Sequence, residues 1–63
     1  MSKFKERQQV RILQSNTNPQ LAGFVGSIER ILPLSETKFV YHVRIGQTVI
    51  AEWFYDYQLK NFK

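Results

Sequence analysis

Lys38-Phe39-Val40-Tyr41-His42-Val43-Arg44-Ile45-Gly46-Gln47-Thr48-Val49-Ile50-Ala51-Glu52-Trp53-Phe54 is the stretch that decides the fold. On its first half residues alternate with period two, the mark of a strand. Phe39, Tyr41, Val43 and Ile45 take one face, and Lys38, Val40, His42 and Arg44 take the other. Gly46-Gln47 reads as a two-residue hairpin link, with glycine supplying positive φ at the first central position of a type II′ turn. Thr48–Phe54 then reads as a second strand. Taking Trp53 inward with Val49 and Ala51 leaves Thr48, Ile50, Glu52 and Phe54 on the outside.

Outward from this hairpin the pattern stays β. Gln8–Leu13 alternates, with Val10 and Ile12 on one side and Arg11 on the other. The turn formers Gln14-Ser15-Asn16-Thr17-Asn18-Pro19 follow, and their proline disfavours helix just before it. Gly23–Ile31 reads as a strand with Gly26 inside it, where a bulge or a close backbone approach is expected. Leu32–Thr37 is a turn, Tyr55–Gln58 a single helical turn, and Leu59–Phe62 a short last strand. Residues 1–6 are expected to fray. The predicted core is Val10, Ile12, Val25, Ile28, Tyr41, Val43, Val49, Ala51 and Trp53.

Sixty-three residues make one small domain. Five short strands, one long early loop and tight later turns predict an all-β chain, a small five-stranded SH3-like barrel, because closure disposes of exposed strand edges. A five-stranded OB-type barrel would need a helix between strands three and four, and none is offered. With 43% hydrophobic residues and nine aromatics the chain is too apolar for a disordered tail. No run approaches the ~20 apolar residues of a membrane span, and Met1-Ser2-Lys3 opens neither a secretory signal nor a myristoylation motif. The chain has no cysteine and a lone His42. That excludes disulfides and thiolate metal sites and leaves no constellation for nucleophilic or metal catalysis. The expectation is a soluble, non-enzymatic binding module without cofactor or metal.

The net charge of +4 is unevenly placed. Lys3, Lys5, Arg7 and Arg11 precede residue 14, Lys60 and Lys63 close the chain, and the body between is close to neutral. In an SH3-like barrel the first and last strands adjoin, which gathers Lys3, Lys5, Arg7, Lys60 and Lys63 into one basic corner. On the outer face of strands three and four, Phe54 and Ile50 sit beside Val40, His42 and Arg44, with Glu52 at the rim. That apolar patch is the expected partner-docking surface. The Gln14–Gln20 loop is the next candidate.

Two resemblances add a direction. Val10-x-Ile12, then Gly23-x-x-Gly26-x-Ile28-x-x-Ile31, resembles the KOW motif of ribosomal and transcription-elongation barrels, without the Gly-Asp that commonly precedes it there. This resemblance implies nucleic-acid binding through the basic corner. Gln9-Val10-Arg11-Ile12-Leu13, Val25-Gly26-Ser27-Ile28 and Tyr41-His42-Val43-Arg44-Ile45 resemble the small SH3-like subunits of oxygenic photosynthesis, among them PsaE of photosystem I. The later segment Glu52-Trp53-Phe54-Tyr55-Asp56-Tyr57-Gln58-Leu59 departs from PsaE and is similar to PetP, a peripheral subunit of the cytochrome b6f complex. Phe, Tyr, Met, Ile, Asn and Lys outnumber Gly, Ala, Arg and Pro two to one, as in an AT-rich genome. The PetP resemblance implies an accessory subunit of photosynthetic electron transport. It would be peripheral at the thylakoid, in plastid stroma or cyanobacterial cytoplasm, with possible contact to the membrane surface and with nucleic acid the less favoured partner.

Overall fold

The computed structural model describes residues 2–62. It is all-β: β1 (Gln9–Ile12), β2 (Val25–Pro33), β3 (Phe39–Ile45), β4 (Thr48–Val49), β5 (Phe54–Tyr55) and β6 (Leu59–Asn61), with short 3-10 turns at Pro19–Leu21 and Asp56–Gln58. Every pairing is antiparallel, in the order β4-β3-β2-β1-β6, and β5 lies on β3 beyond the end of β4. The sheet curls into a small barrel-like form that hydrogen bonds do not close. The first and last strands pair, as expected, with Arg11 opposite Lys60 and Ile12 opposite Leu59.

Two irregularities aim the side chains. In β2 the register slips between Ile28 and Arg30, so Glu29 is the extra residue of a bulge. Strict alternation from Ile28 would turn Arg30 inward. The bulge instead points Ile28 and Ile31 to the core, opposite Val43 and Tyr41, and sends Arg30 outward beside His42. Glu29 is left free to pair with Arg44 at 2.8 Å, on the surface. Gly26 answers the other half of the expectation. A Cβ there would lie 2.4 Å from the Arg44 carbonyl oxygen and 2.7 Å from Val43 Cγ1. Only glycine lets β2 and β3 approach this closely.

The second irregularity breaks the predicted fourth strand. Thr48 and Val49 pair with Ile45 and Arg44, and Phe54 and Tyr55 pair with Tyr41 and Val40. Between the two pairings the chain takes up two extra residues and bends at Ala51 and Glu52. At the hairpin Gly46 has φ +64° while Gln47 stays out of the left-handed region, as a type II′ link requires.

The core holds Phe4, Val10, Ile12, Ile28, Tyr41, Val43, Phe54 and Leu59. Three of the expected core residues are corrected. Val49 is 42% exposed, Ala51 is exposed, and Trp53 is half-buried on the outer face. Val25 is half-buried. The start of the chain is corrected as well. Phe4, placed in a fraying segment, is 1% exposed and meets Tyr41 edge-on with ring centroids 5.3 Å apart. The Tyr41 hydroxyl accepts from the Lys3 backbone N–H. Arg7, at φ +70°, turns the chain so that its own N–H donates to the Ile28 carbonyl and the segment joins the sheet.

Candidate functional surfaces

Cross-strand partners point to the same side of a sheet, so the inward Tyr41 carries Phe54 inward with it. Phe54 is 0% exposed, and Ile50 packs against the core. Neither can anchor a docking surface, and this corrects the expected centre of the patch. The physical reason is the register, one residue away from the one that an inward Trp53 requires. Val40, His42 and Arg44 remain on the outer face, although Val40 is covered there.

The ring that faces outward is Trp53. It stacks on His42 with centroids 3.5 Å apart and planes within 17°. Burial lowers the His42 pKa below its usual value, and the neighbouring Arg30 lowers it further. His42 therefore stays neutral at pH 7 and offers a flat, uncharged support to the indole. One row along, Leu32, Val40 and Tyr55 lie side by side across β2, β3 and β5. Tyr55 in turn stacks on Tyr57 at 5.5 Å, with planes within 7°. Tyr57, on the 3-10 turn, is 64% exposed. Trp53, His42, Tyr55, Tyr57 and Leu32 thus form one aromatic and apolar surface over the covered Val40, edged by Arg30. Sequence reasoning singled out Trp53 but turned it inward, and it left Tyr55 and Tyr57 in a turn without a role.

Glu52 is also not where the rim was expected. It is buried, and its carboxylate accepts from Ser15 Oγ at 2.6 Å, from the Asn16 N–H at 3.1 Å and from Thr17 Oγ1. The bend at Ala51–Glu52 delivers this side chain beneath the 15–17 loop and holds the loop closed. Gln58 completes the arrangement from the other side. It is buried, accepts from the Tyr55 N–H and donates to the Gln14 carbonyl. Burial alone raises the Glu52 pKa, but the Ser15 and Thr17 hydroxyls and the two backbone N–H groups outweigh it and hold the carboxyl below its usual value.

An unfolded Glu52 protonates at a higher pH than the folded one, so in that window the folded state binds fewer protons and stability rises with pH. Its contribution is complete above about 4.5 and is lost as pH falls through the lowered folded value. His42 acts in the same direction from about 6.5 downward, because its folded pKa is also lowered. Thermal melting should therefore show stability declining on acidification, first below about pH 6.5 and again below about pH 4.5. Glu52→Gln should remove the lower step. Glu52→Ala, which strands the loop donors, should cost about 1.5–3 kcal/mol at pH 7. A melting temperature flat across the acid range would contradict both assignments.

The basic corner forms in part. Arg7 lines a groove with Gln8, Gln9, Asn61 and Phe62, and Lys60 lies opposite Arg11. Lys3 folds over the ring of Phe4, its Nζ 5.5 Å from the centroid. Lys5 is exposed on the turn before Arg7. Lys63 lies outside the described residues. Arg11, omitted from the expected corner, belongs to it, and the strand pairing is the signal that finds it.

Among the described residues no group of three His, Cys, Asp or Glu side chains could hold a metal ion, and no helix is long and apolar enough to cross a membrane. Compared with protein-family models, with curated proteins and with solved structures, the chain matches none.

Proposed function

We propose that the chain is a non-catalytic accessory subunit that docks on a larger protein assembly through the outer face of β3 and β5. The observation that carries this reading is the continuous surface of Trp53, His42, Tyr55 and Tyr57 on a domain too small to spend rings outside its core without use. Interface energy concentrates in a few aromatic anchors with polar residues around them, and Arg30 and Arg44 occupy that rim. The partner is proposed from the sequence resemblance to PetP: the cytochrome b6f complex, met on its stromal or cytoplasmic side, where the subunit tunes stability or electron flow. Photosystem I is the assembly implied by the PsaE likeness.

The test uses the tagged chain with each purified, solubilised complex. Wild type should bind cytochrome b6f, and Trp53→Ala and Tyr57→Ala should each weaken binding by about 2 kcal/mol. Melting should stay near wild type for Tyr57→Ala, since that side chain is largely exposed. Binding to photosystem I alone would move the partner and keep the surface. Binding to neither complex, with tight binding to RNA oligonucleotides, would replace this reading with the nucleic-acid one implied by the KOW likeness.

A further inference from the structure

A second surface lies on β6, β1 and the start of β2, away from the aromatic face. Arg11 and Lys60 stand directly opposite each other across the β1–β6 pair. Like charges in that position are destabilising, so the pair is held at a cost that an anion would relieve. No Asp or Glu occurs between residues 8 and 28 or between 57 and 62. The one ion pair among the described residues is Arg44–Glu29, away from this pair, so Arg7, Arg11 and Lys60 have no carboxylate partner among the described residues.

Large apolar side chains surround these cations. Phe62 is 42% exposed and its N–H donates to the Gln9 carbonyl, which puts it beside Arg7 in the groove. The Arg11 guanidinium lies 5.7 Å from the Phe62 ring centroid and donates to the Gly23 carbonyl at 2.9 Å. Leu13, two residues beyond Arg11 on the same face, is 47% exposed.

We propose that this face binds an anionic membrane surface, with Arg7, Arg11 and Lys60 at the phosphate headgroups and Leu13 and Phe62 entering the interfacial layer. The mixture of side chains selects the occupant. Single-stranded nucleic acid needs open ring faces on which bases stack. Here Leu13 has no ring, and the Arg11 guanidinium already lies against Phe62. A lipid interface accepts aliphatic and aromatic groups alike, and anionic headgroups attract nearby Lys and Arg. The inference does not rest on the protein-docking reading, because it uses other strands and other residues.

The experiment is cosedimentation of the isolated chain with phosphatidylcholine vesicles, with and without phosphatidylglycerol. Wild type should sediment with the anionic vesicles at low salt and not with pure phosphatidylcholine. Arg7→Gln with Lys60→Gln should lower partitioning by about tenfold or more. Phe62→Ser and Leu13→Ser should each lower it several-fold, with circular dichroism confirming that the variants are folded. Two serine substitutions at separate places in the chain, just past the ends of β1 and β6, keep the test valid if one of them unfolds the chain. Failure of wild type to sediment would overturn the proposal. So would charge variants that matter while both serine variants do not, and so would tighter binding to single-stranded RNA than to anionic vesicles.

Discussion

Phe54→Ala is expected to unfold the domain. The ring is fully buried, opposite Tyr41, in a core that also holds Phe4, Ile28 and Val43. Truncating a buried phenylalanine costs about 3–5 kcal/mol, from lost transfer energy and from the cavity left behind. A chain of this size without disulfide or metal has little more than that to lose. Denaturant melts at neutral pH should show either no folded baseline or a midpoint shifted far down. Phe54→Leu, which keeps most of the volume, should recover much of the stability. A Phe54→Ala variant that melts like wild type would put the ring outside and invert the face assignment of β5. Trp53→Ala is the companion measurement, because an outward Trp53 should cost far less.

Gly26→Ala is expected to be comparably damaging, although it adds only one methyl group. The new carbon would sit 2.4 Å from a backbone oxygen of β3, and a backbone atom of a paired strand cannot swing aside as a side chain can. Relief requires β2 and β3 to separate where Ser27 pairs with Arg44 and Ile28 with Val43. Overpacking of this kind costs about 1–3 kcal/mol and more where the backbone must move. Gly46→Ala is the control. Its positive φ makes alanine unfavourable, but a Cβ there meets nothing within 4 Å. The Gly46 change should therefore cost only about 1 kcal/mol, the conformational term alone. If the two substitutions prove equal, the close approach at Gly26 is not what the position protects.

The inward rings and the outward rings of β5 are one residue apart, and the difference moves the whole docking surface. A two-residue link at Gly46-Gln47 places Val49 opposite Arg44, and Arg44 belongs to the polar face of β3. That pairing alone sends Val49 outward and Ile50 inward. The bend at Ala51 and Glu52 takes up two residues, so the same parity carries through to Trp53 outside and Phe54 inside. The size of Trp53 argued for burial, and register overrode it. His42 supplies the reason an outward, half-buried indole is tolerated, since it covers one face of the ring.

Strand periodicity, the turn formers around Pro19, the glycine hairpin and the scarcity of chemistry-bearing side chains are all local properties. From them the sequence alone determined an all-β chain, a core around Val10, Ile12, Ile28, Tyr41 and Val43, and a glycine at a close backbone approach. The remaining features depend on which residues meet across long separations. Phe4 is core only because Tyr41 waits for it, and Glu52 is a buried loop anchor only because the 15–17 loop folds over it. Arg11 joins the basic face only because β6 sets Lys60 opposite it. Alternation specifies that two faces exist, with period two and no preference between them. Tertiary pairing chooses which face is inside, because a single register must bury Tyr41 and Phe54 together.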